Sequence, residues 1–159
     1  MIELKHTKWF YDQLENIYKD NNLLKYKNTL REITIIVPTY NRQSFLLRQI
    51  VSCLKLNVSI IIADGSKESI SSEILKVKEI FPSIEYFHDN NLSYVDRIKK
   101  TLDKIKTPFA MCLAEDDFLF KKGLFDATNK LIDNNNLVAC FGQVLGVDYD
   151  FRKQKTYFY

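Results

Sequence analysis

Three consecutive carboxylates, Glu115-Asp116-Asp117, stand at the end of the apolar run Met111-Cys112-Leu113-Ala114. Adjacent acids repel one another, so a core strand that delivers three of them asks for a counter-charge. A divalent cation with a phosphorylated ligand behind it supplies one, because hard cations take oxygen ligands and bridge protein acids to phosphates. The alternative is a solvated acidic turn that needs no ligand. Three more polar groups follow apolar runs in the same way: Pro38-Thr39-Tyr40-Asn41-Arg42, Asp64-Gly65-Ser66 and His88-Asp89-Asn90. Turns favour Asp, Asn, Gly and Ser in any case. Their shared position is the stronger observation, since open α/β sheets bind ligands outside the carboxyl ends of their strands.

To share one rim, these groups must sit on strands that run the same way. Ile33-Thr34-Ile35-Ile36-Val37 reads as a strand, apolar on both faces as central parallel strands are, and Pro38 is expected to end its ladder. Asn41 or Ser44 is the candidate cap of a helix that buries Phe45, Leu46, Ile50, Val51 and Leu54. Val58-Ser59-Ile60-Ile61-Ile62-Ala63 is a second buried strand, broken at Asp64-Gly65-Ser66. A helix through Ile70, Ile74, Val77 and Ile80 stops before Pro82, and Ile84-Glu85-Tyr86-Phe87-His88 forms a short strand. Ser93-x-x-Asp96 has the form of a capping box. It opens a helix expected to bury Leu92, Val95, Ile98, Leu102 and Ile105 and to end at Pro108. Phe109 to Ala114 is then the strand that carries the acids. A last helix (Leu124, Phe125, Thr128, Leu131, Ile132) leads to a long final strand from Leu137 to Val147.

Strands alternating with amphipathic helices predict an α/β domain with a mostly parallel central sheet and right-handed crossovers. It occupies residues 32–159. Residues 1–31 form a lysine-rich lead-in where Phe10, Leu14, Ile17 and Tyr18 mark an added amphipathic helix, with His6 as a surface residue. The chain is aromatic and strand-like from Tyr149 to Tyr159, and so looks cut in mid-element before an acceptor region.

At 159 residues the chain is one domain that buries a core without disulfides. Its net charge is only +3 with scattered lysines, which argues against nucleic-acid binding, where a basic stripe is expected. Cys53, Cys112 and Cys140 are odd in number and have apolar neighbours, so they read as reduced core thiols of a cytoplasmic protein. Residues 1–8 lack the apolar stretch of a signal peptide, and no run is long enough to span a bilayer. Peripheral membrane contact stays open.

The four glycines form neither a GxGxxG fingerprint nor a Gly-Lys-Ser/Thr loop. A phosphate cradle of glycine-rich backbone is therefore absent. Any nucleotide diphosphate would have to be held by side chains and a metal. GxSxG and HExxH motifs are absent as well.

The order Ile-Ile-Val-Pro-Thr-Tyr-Asn-Arg, then Ile-Ile-Ala-Asp-Gly-Ser, then Ala-Glu-Asp-Asp resembles the nucleotide-binding half of a family 2 glycosyltransferase with the GT-A fold. The resemblance covers about residues 32–147. It implies that Pro38, Thr39 and Tyr40 contact the nucleotide and that Asp64 reads the base ring. Ala63 replaces an acid that the family often carries there. Arg97 is the match to an arginine that faces the nucleotide or its diphosphate; a plain surface arginine is the alternative. The family's Asp-x-Asp motif falls on Glu115-Asp116-Asp117. Asp117 is then a metal ligand and Asp116 lies toward ribose and metal, while Glu115 in the first slot leaves the register open by one residue.

The resemblance implies an inverting transfer from a nucleotide-diphosphate sugar, UDP-linked by default, to the hydroxyl of an acceptor glycan or glycolipid in polysaccharide biosynthesis. Mn²⁺ or Mg²⁺ would act as a Lewis acid on the leaving diphosphate. The acceptor hydroxyl also needs a general base. Asp148 and Asp150 are the only carboxylates after Asp133, and neither is assigned to that role, so this chain alone is expected to be catalytically incomplete. A non-catalytic nucleotide-sugar-binding module is the second reading. A nucleotidyltransferase is the third, disfavoured by the lack of a glycine-rich basic loop near the first strand.

Overall fold

The computed structural model describes residue 12 and residues 29–143, 146–150 and 152–158. The expected helix of the lead-in lies outside the described residues. A 3-10 turn, Thr29–Glu32, with Leu30 fully buried, enters strand β1, Ile33–Thr39. Every residue of β1 is buried, so both faces of the strand are covered. Six of its seven residues are β-branched, a composition suited to a pleated strand packed on both sides.

Strands β2 (Ser59–Asp64), β3 (Ile84–His88) and β4 (Phe109–Cys112) complete a four-stranded sheet in the order β3-β2-β1-β4. All three pairings are parallel, so all four strands point their carboxyl ends the same way. The register aligns Thr39 with Asp64 and Asp64 with His88, which sets three polar strand ends side by side.

Pro38 does not end the ladder. It lies inside β1, aligned with Ala63 of β2. Ile36 turns its carbonyl to Leu113 N–H on the β4 side (2.9 Å), and Thr39 turns its carbonyl to Gly65 N–H on the β2 side (3.0 Å). Alternation therefore points the missing N–H of Pro38 toward the β4 side, where strand pairing has already stopped at Ile36 and Cys112.

Helix α1, Gln43–Leu56, buries eight residues, more than one stripe, including Gln49. Neither Asn41 nor Ser44 caps it. Arg42 is the N-cap residue without a side-chain cap bond, because the Asn41 side chain is committed elsewhere. Asn57 ends the helix in the left-handed region at φ 59°, which asparagine tolerates. Helix α2, Ser71–Ile80, buries Ile74 and Val77. Helix α4, Lys121–Asp133, buries Leu124 and Thr128.

Helix α3, Tyr94–Leu102, is turned differently from the apolar stripe in its sequence. Val95 is 55% exposed and Leu102 50%, whereas Arg97 and Thr101 are buried. Thr101 Oγ1 donates to Ile98 O (2.7 Å) and needs no other partner. Arg97 reaches past the helix to the end of β2, into space left by Gly65. Placement of that one long side chain prevails over the hydrophobic periodicity.

The expected final strand is also different. Residues 134–143 belong to no strand, and Val138 and Phe141 are almost fully exposed. Instead β5, Val147–Asp150, pairs antiparallel with β6, Lys155–Phe158. Local turn chemistry supports this pairing: Asp150 Oδ1 accepts from Arg152 N (2.9 Å) and Lys153 N (3.1 Å), and Gln154 takes φ 50°. An apolar run signals burial but does not choose the strand it will pair with.

Of the three thiols, Cys53 is buried, and burial pushes it up to about 12. Cys112 is exposed on β4, the edge of the described sheet, and Cys140 is half-buried, so the expectation of three core cysteines holds only for Cys53. Among the described residues no helix is long and apolar enough to cross a membrane.

Candidate donor site at the carboxyl rim

The rim is held by a hydrogen-bonded frame between the loops after β1 and β2. Asn41 adopts φ 56°, a left-handed turn that asparagine enters more readily than most residues. In that turn its N–H donates to Ser66 Oγ (2.8 Å), and its Oδ1 accepts from Lys67 N (2.9 Å). His88 at the end of β3 joins through Nε2 to Ser66 O (2.8 Å), and its ring stacks parallel to Tyr86.

Asp64 is the hub of this frame and is fully buried. Its Oδ1 accepts from Ser66 N (2.7 Å) and its Oδ2 from the Tyr86 hydroxyl (2.7 Å). The same hydroxyl accepts from Ile70 N (3.1 Å). Burial, with a smaller push from the Asp64 contact and against the opposing Ser69 contact, raises the Tyr86 phenol to about 12, so it stays protonated and donates. Both carboxylate oxygens are engaged and the residue has no accessible surface, so Asp64 braces the turn that follows β2.

Thr39 and Tyr40 diverge. Thr39 is buried and its Oγ1 has no hydrogen-bond partner, while Tyr40 is 55% exposed beyond the strand end. Pro38 is buried within β1. Arg97 is not a surface residue. It is 6% exposed, its Nη1 donates to Leu92 O (2.6 Å), and its Nε has no partner. No carboxylate among the described residues forms an ion pair with it. A buried guanidinium without a counter-ion is costly, and an anion at the rim would relieve it.

The acids occupy a turn two residues beyond β4, closed by Asp117 N donating to Ala114 O (3.2 Å). They face the β1 loop. Arg42 Nη1 lies 2.8 Å from Asp116 Oδ2 and 3.4 Å from Glu115 Oε1, and these contacts hold the guanidinium charged, above its ordinary value. Arg42 also lies over the Phe45 ring, 4.9 Å from its centre. Asp117 is exposed and outside this pair.

Among the described residues no three His, Cys, Asp or Glu converge as a metal centre. What converges is two carboxylates on one cationic position. Their hard oxygens suit Mg²⁺ or Mn²⁺, which bind through one or two carboxylates and take further ligands from phosphate and water.

Sequence reasoning placed Thr39, Tyr40, Asp64, Arg97 and the three acids at strand ends or beside them, and the fold brings them to one rim. It gave no role to Arg42, Ser66 or Tyr86, and offered Asn41 only as a helix cap. Asn41 carried a readable signal, since asparagine after a strand favours a left-handed turn. Tyr86 carried only a general one: a tyrosine whose ring packs against a core needs a partner for its hydroxyl.

A four-stranded parallel sheet flanked by helices, with polar and charged side chains gathered at its carboxyl rim, defines a Rossmann-like α/β class. Residues 34–159 match the model for glycosyl transferase family 2, and the chain belongs to that family. It is 29% identical over 122 residues to an uncharacterized glycosyltransferase of Rickettsia bellii (strain RML369-C). That match takes in 74% of this chain and 17% of the relative's length.

Proposed function

We propose that this domain binds a nucleoside-diphosphate sugar, with Mn²⁺ or Mg²⁺, as the donor for an inverting transfer to an acceptor hydroxyl. The observation that carries the reading is Arg97: a buried guanidinium at the rim with no carboxylate partner among the described residues, on the same edge as an acidic turn. One group calls for an anion and the other for a cation, and a metal diphosphate answers both. Arg97 would neutralise diphosphate charge, and Thr39 Oγ1 offers a buried hydroxyl with no other partner. Tyr40 would lie against the nucleoside. Asp64 serves base recognition through the turn it braces. Glu115, Asp116 and Asp117 would hold the cation, whose chemistry is to stabilise the charge that develops on the leaving diphosphate. UDP is the first donor nucleotide to test. The acceptor would be a glycan or glycolipid, and no residue of this chain is assigned as its general base.

The test is a melting-shift and calorimetry panel of UDP, GDP, CDP and dTDP, with and without Mn²⁺, on the wild-type chain and Asp117→Ala. A Mn²⁺-dependent stabilisation by one nucleotide, lost in Asp117→Ala, is expected. Binding that ignores the metal, or survives unchanged in Asp117→Ala, would overturn the metal assignment.

A further inference from the structure

We infer that Arg42 is a built-in counter-ion of the acidic turn, occupying Glu115 and Asp116 in the resting protein, and that a divalent cation must displace it to bind there. The inference rests on the donor-site reading and adds a residue to it. Three observations lead to it. The guanidinium of Arg42 reaches both carboxylates through one nitrogen, Nη1, at 2.8 and 3.4 Å, so a single positive point lies between two acids. Asp117 takes no part in that pairing, although its backbone closes the same turn. The loop that carries Arg42 is pinned a residue earlier, where Asn41 is bonded through N–H and Oδ1 to Ser66 and Lys67. The pinned loop holds the Arg42 backbone in reach of the acids, while the side chain itself is about half exposed and free to leave along solvent.

The physical consequence is competition. A monovalent guanidinium and a divalent cation cannot share the same carboxylate lone pairs, so the free energy of the arginine pairing subtracts from metal affinity. The closer contact, Arg42 to Asp116, is nearly half exposed on both sides and therefore weak, whereas the Glu115 side chain is only 10% exposed. The pairing offsets the repulsion between Glu115 and Asp116 yet yields to a cation that arrives with a diphosphate. Displacement also frees one positive charge beside the incoming anion. Removing Arg42 should accordingly raise affinity for the metal alone.

The experiment measures Mn²⁺ binding to the full chain by the loss of the free-ion paramagnetic resonance signal, first without nucleotide and then with UDP. The proteins are wild type, Arg42→Gln, Arg42→Lys and Arg48→Gln. Arg48 is the matched control: its guanidinium also lies over Phe45, 4.5 Å from the ring centre, but it touches neither acid. Arg42→Gln is expected to bind Mn²⁺ without nucleotide about two- to fivefold more tightly than wild type, as loss of an exposed ion pair allows. Arg42→Lys should fall between them, and Arg48→Gln should match wild type. Equal Mn²⁺ affinity in Arg42→Gln and wild type would overturn the inference while the donor-site reading stands. An equal gain in Arg42→Gln and Arg48→Gln would also overturn it, by showing only a net-charge effect. Absence of Mn²⁺ binding in every protein, even with UDP, would instead remove the donor-site reading and this inference with it.

Discussion

The guanidinium of Arg97 fills the space that a side chain at position 65 would need. A Cβ built on Gly65 would stand 2.2 Å from both Cζ and Nη1 of Arg97 and 2.7 Å from Nη2. Gly65 is therefore required by a close approach and not by its backbone, which has no positive φ. Gly65→Ala must drive the guanidinium away. Because the clashing atoms are the far end of a flexible side chain, the stability cost should stay near the low end of overpacking, about 1 kcal/mol. The larger effect should be on ligand. Gly65→Ala and Arg97→Ala should each weaken nucleoside-diphosphate binding about tenfold or more, the worth of a charge-assisted hydrogen bond. The double variant should lose little beyond either single one, since both remove the same interaction. Calorimetric titration of the three variants decides this, and additive losses would separate the two residues.

Tyr86→Phe removes one oxygen from the frame and leaves Oδ2 of the buried Asp64 without its donor. An unsatisfied buried acceptor costs about 1–3 kcal/mol, which urea denaturation will read directly. The variant should also change the alkaline limit of stability. A phenol raised by burial to about 12 contributes stability that is complete below the pKa of the unfolded tyrosine. That contribution is lost as pH rises through the folded value. With an unfolded tyrosine near about 10, the wild type should lose stability between roughly pH 10 and 12. Tyr86→Phe should be flatter across that window. Parallel alkaline slopes in the two proteins would show that the phenol does not carry this dependence.

The architecture was readable because β1 and β2 are apolar on both faces and end in polar turns, a pattern that central parallel strands produce and few other elements do. The rim followed from the same observation, since strand ends need only be aligned for Thr39, Asp64 and His88 to meet. Helix α3 was misread because hydrophobic periodicity weighs Val95 and Leu102 as core and cannot see that Gly65, over thirty residues away in sequence, leaves a slot for Arg97. The exposed run through Val138 and Phe141 failed for a related reason: apolarity shows that a segment would gain from burial, not which partner provides it. The Arg42 pairing was hidden because it joins two loops that only the β1–β4 ladder brings together.

The start of helix α3 offers the last test, because the position of Arg97 depends on it. Ser93 has extended backbone at φ −63° and ψ 162°, and its Oγ accepts from Asp96 N at 3.2 Å, the bond expected of an N-cap. The expected capping box is only half formed. The Asp96 carboxylate accepts from the Ser93 hydroxyl at 2.6 Å instead of returning to the Ser93 backbone N–H. Arg97 follows directly, its N–H bonded to Ser93 O at 3.0 Å. Ser93→Ala should therefore cost about 1 kcal/mol through the lost cap. It should also loosen the first turn that aims Arg97 at Gly65. Ser93→Thr keeps a hydroxyl at the cap and should recover most of both effects. Thermal melts give the stability change, and nucleotide titration gives the ligand effect. A Ser93→Ala variant that loses stability but keeps full nucleotide affinity would show that the frame around Gly65 positions Arg97 without help from the helix start.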